Sequence, residues 1–216
     1  MVAMTLICRN NPLPKGTLQR VKGNLDSFAF TWEQRKLGEL TNIASAARVH
    51  KEEWATQGVP FFRSSDVVSA YKGSKNTQAY ISWELYEHLS SLSGKLEKDD
   101  ILITGGGSIG IPYIVPNNEP LYSKDADLIW IKHSGNFDSQ YMFTYLTAPS
   151  FRTYLNAISH IGTIAHYTIE QVKDTPIHLP SIAEQKAIGQ YFRSLDNLIT
   201  LHQRKPKYII WRYYRC

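Results

Sequence analysis

The sequence predicts an α+β fold, in which irregular β-strands and helices form one domain and a long coiled-coil-type helix follows it. Three observations carry this reading. The segment KDDILITGGGSIGIPYIVP at 98–116 reads as strand, glycine turn, strand, and DLIWIK at 127–132 adds a third β-rich run. Amphipathic stretches at helical spacing stand on either side of these strands. Finally, Ser181 and Glu184 have capping-box spacing after Pro180, and beyond them apolar residues recur every three and four positions to about residue 205.

Taken in order, residues 1–27 mix Pro12, Pro14, Gly16 and Gly23 with polar groups and show no sustained periodicity, so they read as a leader outside the domain. The domain is expected over 28–178. Thr31 and Gln34 have capping-box spacing, with Leu37 and Leu40 as anchors of a short helical turn. From Gly58 to Tyr80 a short apolar stretch gives way to what reads as a polar, glycine-containing loop. Residues 82–92 are amphipathic at helical spacing. Asn136 or Asp138 is placed to cap a helix presenting Tyr141, Met142, Tyr145 and Leu146, and a second helix after Pro149 presents Phe151, Tyr154, Leu155 and Ile158. SHIGTIAHYT then reads as a loop of small residues, and VKDTPIHLP as extended chain up to Pro180. The last helix carries Ile188, Tyr191, Leu195, Leu198 and His202 on one stripe, widened by Phe192 and Ile199. It is expected to pack or dimerise through them. Pro206 breaks it at or before Lys205, and 206–216 form an atypical tail.

Composition narrows the function. The chain of 216 residues is 43% hydrophobic and 12% aromatic, enough to bury a core. Its two cysteines, Cys8 and Cys216, lie at opposite ends and offer neither a disulfide framework nor a metal cluster. No run resembles a signal h-region or a membrane span, so a soluble, cytoplasmic protein with no membrane partner is expected. The formal charge is +5, but the first thirty residues and the last thirteen hold nine of the 24 basic groups and one of the 19 acids. The middle is therefore net −3, and any contact with DNA needs a local patch rather than bulk attraction.

Patterns that carry catalysis elsewhere have simpler explanations in this sequence. GGGSIG at 105–110 lacks the Lys-Ser/Thr of a P-loop and runs into a strand, so its glycines read as permitting close approach of another backbone, DNA being one candidate. Glu184 and Lys186 have the E-x-K spacing of many metal-dependent nucleases, yet capping explains Glu184 and a helix start is the wrong setting for that site. No two histidines share the i, i+4 spacing of a helical metal site, and no nucleophile motif occurs. Neither a catalytic residue nor a metal or cofactor site is expected in the chain. A protein-protein adaptor that never touches DNA is the rival from another class.

Four segments, WEQRKLGEL (32–40), GVPFFRSSDV (58–67), KDDILITGGGSIG (98–110) and LPSIAEQKAIGQYFRSLDNLITLHQRK (179–205), resemble the specificity subunit of type I restriction-modification systems. The resemblance covers about four-fifths of the chain. It implies a target-recognition domain that reads one half of a bipartite site in double-stranded DNA, and a conserved spacer helix that ends it. It further implies a partner methyltransferase subunit carrying S-adenosylmethionine and a partner restriction/translocase subunit using ATP and magnesium. The resemblance also implies a full subunit of two such domains and two helices; one of each is expected over these residues, as in a half-subunit, a silent cassette or a truncation.

Polar loops borne on irregular strands suit base edges in the major groove, where a bidentate pair discriminates by about 1–3 kcal/mol. The expected DNA-binding positions are Arg63, Ser64, Ser65, Lys72, Lys75, Asn76, Gln78, Thr104, Ser108, His160, Thr163 and His166. The competing reading makes Arg63 and Asp66 a structural pair, with Lys72 and Lys75 as solvated loop charges.

Overall fold

The structure, a computed structural model, describes residues 32–123, 127–159 and 166–204. His160, Thr163 and Thr31 lie outside these, as do the leader and the tail.

Its centre is a four-stranded sheet in the order β2-β9-β6-β7, built from β2 (Ile43–Ala44), β6 (Ile101–Thr104), β7 (Pro112–Ile114) and β9 (Leu128–Ile131). All its pairings are antiparallel. Both faces of β6 and β9 are covered, which is why ILIT and LIWI read as unbroken apolar runs instead of alternating ones. Ile101, Ile103, Ile129 and Ile131 point into the main core with Met142, Leu146, Phe151 and Leu155. These come from helices α4 (Ser139–Thr147) and α5 (Pro149–Ser159), as their spacing predicts, and the Asp138 carboxylate caps α4 by accepting from the Tyr141 amide at 2.8 Å. Leu102, Leu128 and Trp130 face the opposite way and pack with Val67.

A second sheet, β3-β5-β4-β8, contains β3 (Trp54–Ala55), β4 (Val59–Phe62), β5 (Ala79–Ile81) and β8 (Tyr122–Ser123). Together with α3 (Trp83–Ser93), capped by Ser82, it closes a smaller core around Val59, Phe61, Ile81, Tyr86 and Tyr122.

Three elements differ from the sequence expectation. Residues 64–72 form a helix, α2 (Ser64–Lys72), ended by Gly73 at φ 64°, where a loop was expected. Its apolar signal is weak because Val67 alone is buried at a hydrophobic position. At the entrance to the domain, Gln34 does not close a capping box. It lies in strand β1 (Glu33–Lys36), opposite His178 of β10 (Pro176–Leu179), and the helical turn α1 (Leu37–Leu40) starts only afterwards. Ladder pairing satisfies a whole strand's backbone, whereas the box satisfies two donors. The third is α6 (Ile169–Lys173), closed by a reciprocal Thr168–Gln171 box within a stretch expected to be extended from Val172.

The closing helix α7 (Ile182–Arg204) begins where expected, the Glu184 amide donating to Ser181 Oγ at 3.3 Å.

Candidate nucleic-acid interface

The junction of β4 and α2 puts most of the expected contact residues on one short stretch. Arg63 holds the Asp66 carboxylate through Nε at 2.8 Å and Nη2 at 3.2 Å, and its backbone amide donates to the same group at 2.9 Å. The guanidinium also donates to the Thr77 carbonyl and lies 5.2 Å from the ring centre of Trp54. Asn76 Nδ2 donates to Asp66 Oδ1 at 2.7 Å and to Ser65 Oγ at 3.1 Å, while its Oδ1 accepts from the Thr77 amide. Arg63 and Asp66 therefore form the structural pair of the competing reading. Ser64 Oγ is buried, whereas Ser65 is exposed. Residues 71–78 are exposed without interruption, including Lys72, Lys75 and Gln78.

The glycine loop is shaped by the chain's own backbone. The Gly105 amide donates to the Asp127 carbonyl at 2.6 Å, and its carbonyl accepts from the Tyr167 amide at 2.7 Å. A Cβ on Gly105 would stand 2.7 Å from the Tyr167 oxygen, and one on Gly106 would meet the Asp127 carboxylate at 2.4 Å. The close approach expected at the glycines, for which DNA was one candidate, is made at these two positions by residues 127 and 167 of the chain itself. Thr104 is fully buried; its hydroxyl donates to the Ser108 carbonyl and accepts from the Ile111 amide at 2.9 Å. Its side chain serves the loop from inside, while Gly107 and Ser108 project outward.

Arg152, on α5, pins the far side by donating to the carbonyls of Ile109 at 2.7 Å and Gly110 at 2.9 Å. Burial lowers the pKa of this guanidinium. Helix α2 packs on β6 and β7, the two strands that flank the loop. His166 is exposed and approaches Asp127 at 3.9 Å. Sequence reasoning paired Arg63 with Asp66 in the competing reading but missed Arg152 and the bond from Asn76 to Asp66. The three-residue step from Arg63 to Asp66 was a usable signal, but nothing in the sequence pointed from residue 152 to 109–110.

Part of the stripe of helix α7 packs inside the chain. Its first turns lie on α4, where Gln185 accepts from the Asp138 amide at 2.9 Å and donates to the Pro180 carbonyl at 2.9 Å. A Cβ on Gly189 would stand 2.8 Å from the Tyr141 nitrogen, so glycine sets the distance between the helices. Ile188, Phe192 and Leu195 are half-buried. Tyr191, Leu198, Ile199, Leu201 and His202 are exposed.

Among the described residues no group of His, Cys, Asp or Glu could hold a metal ion, and no helix is long and apolar enough to cross a membrane.

Residues 30–209 match the family model described as the type I restriction modification DNA specificity domain. The chain is 26% identical over 191 residues to a Haemophilus influenzae protein named as a type I restriction enzyme specificity subunit, covering 83% of this chain and 46% of that one. It is 27% identical over 196 residues to the type I restriction enzyme MjaVIII specificity subunit of Methanocaldococcus jannaschii, covering 87% and 45%. Among solved structures its fold is similar to the HsdS subunit of Thermoanaerobacter tengcongensis, with TM-score 0.54, 15% identity and coverage of 86% and 41%. It is also similar to the S subunit of the type I restriction-modification system of M. genitalium, with TM-score 0.52, 18% identity and coverage of 79% and 40%. The chain spans less than half the length of each of these relatives.

Proposed function

The chain belongs to the type I restriction modification DNA specificity domain family, and from that premise we propose that it reads one half of a bipartite site in double-stranded DNA for a type I restriction-modification complex. The observation that carries this is the extent of the family match, which takes in both the α+β domain and α7. The exposed 71–78 segment and the outward Gly107–Ser108 tip support it by offering amide, hydroxyl and ammonium groups with little apolar surface, the mix that base edges and phosphates accept. In this reading Lys72 and Lys75 take phosphate oxygens, while Gln78, Ser108 and His166 lie within reach of bases.

The chain carries no reaction itself. Methyl transfer belongs to a partner methyltransferase subunit with S-adenosylmethionine, and cleavage to a restriction/translocase subunit with ATP and magnesium. α7 is the docking element, and its exposed stripe also serves pairing of two copies.

The test is co-expression of the chain with a methyltransferase subunit in cells lacking other methylation, followed by methylation sequencing. A new methylated motif that appears only when both are present is expected. Identical methylation patterns with and without the chain would refute the assignment and favour an adaptor.

A further inference from the structure

Asn76 and Gln78 were expected to read bases side by side, yet their hydrogen bonding differs. Both donors of the Asn76 amide are used inside the chain, and its oxygen accepts from the Thr77 amide. Gln78 engages only its Oε1, which accepts from the Tyr80 hydroxyl at 3.2 Å. Its Nε2 has no hydrogen-bond partner among the described residues. The carboxylate that holds Asn76 is that of Asp66, 7% exposed, which also receives three bonds from Arg63. One buried anion thus ties the end of β4, the first turn of α2 and the loop after Gly73 into a closed network. Charge-assisted bonds to a shielded carboxylate are the stronger kind, and every member of such a network depends on the others.

We propose that Asp66 is the anchor of a rigid recognition loop over residues 73–78, that Arg63 and Asn76 are positioning residues, and that Gln78 is the base-reading side chain of this loop. Tyr80 orients the Gln78 amide so that its NH2 faces outward, which suits a base presenting acceptors in the major groove, as guanine does with O6 and N7. Lys72 and Lys75, on either side of Gly73, are exposed and carry no ion pair among the described residues, as phosphate contacts require. This assignment rests on the DNA-reading function proposed above.

The experiment uses the purified full chain and selects bound duplexes from a random pool, with hydrogen exchange of the loop amides as a second readout. Wild type is expected to enrich a motif. Gln78→Ala should relax one base position by about tenfold and leave loop exchange unchanged, since a tenfold change is the size of one lost base contact. Asn76→Ala should blur several positions together, accelerate exchange at residues 74–78, and leave the salt dependence of binding unchanged, because no phosphate contact is removed. Arg63→Lys keeps the charge without the planar fork and should resemble Asn76→Ala. Asn76 is exposed, so its variant tests the network even if Asp66→Asn fails to fold.

Loss of preference at a single position in Asn76→Ala, with loop exchange unchanged, would make Asn76 a direct reader and overturn the anchor. An unaltered motif in Gln78→Ala would overturn its reading role. A wild type that binds DNA and enriches no sequence refutes the DNA-reading function itself, and this assignment with it.

Discussion

Thr104 shows how a residue in the right place for a contact can be unavailable for one. Its hydroxyl is enclosed and bridges the Ser108 carbonyl and the Ile111 amide across the glycine loop. Thr104→Val keeps the shape and removes both bonds, leaving the part-buried Ser108 carbonyl and Ile111 amide without that partner. The expected cost is about 1–3 kcal/mol, read as a lower denaturant midpoint at unchanged slope. Gly105 is the companion case, since its Cβ would press on the Tyr167 carbonyl, a backbone atom with no rotamer to yield. Gly105→Ala should therefore destabilise the fold in chemical denaturation, whereas Gly107→Ala meets no neighbour and is limited by its φ of 62°. Equal stabilities for the two variants would count against the account of the loop.

Two different surfaces share the helix α7. Over its first turns Gly189 and Gln185 bring it against α4, and a side chain at 189 must push the helices apart. Gly189→Leu is expected to lower the melting temperature and to expose the Asp138–Gln185 contact to fast amide exchange; a variant as stable as wild type would show that the contact is loose. Further along, Tyr191, Leu198, Ile199 and Leu201 are 46–62% exposed. Burying each large side chain is worth about 1.5–3 kcal/mol, so this stripe is able to drive association. Sedimentation at tens of micromolar should show wild type as a dimer and Leu198→Asp with Leu201→Asp as a monomer, both keeping the same helical content. If wild type remains monomeric with and without a methyltransferase subunit, the stripe is not an association surface.

At the scale of the molecule, the proposed function predicts that the purified chain binds DNA yet transfers no methyl group from S-adenosylmethionine, because it leaves methyl transfer to a partner subunit. Methyl transfer by the isolated chain, measured with labelled cofactor, would overturn that. A two-fold pair of chains joined through α7 presents two identical recognition loops, so the sequence it selects should be an inverted repeat. An asymmetric motif from a dimeric preparation would mean that only one copy engages DNA.

What the sequence determined by itself is local and periodic. The strands at 101–104, 112–114 and 128–131 and the helices after Asp138, Pro149 and Ser181 were legible because each combines a repeat of apolar residues with a nearby capping or turn group. The family was legible for a related reason, four segments in fixed order. Tertiary structure decided the rest. Helix α2 has one buried hydrophobic residue and depends on the sheet beneath it and on Gly73. Gln34 has capping spacing but lies in a strand, because β10, more than 140 residues away, offers a ladder that no local pattern reveals. The site followed the same division: residues 63–78 could be nominated from polarity, whereas Thr104 turned inward and Asn76 was consumed by Asp66. A side chain's availability is set by which partners the fold brings within about 3 Å of it, and those partners are remote in sequence.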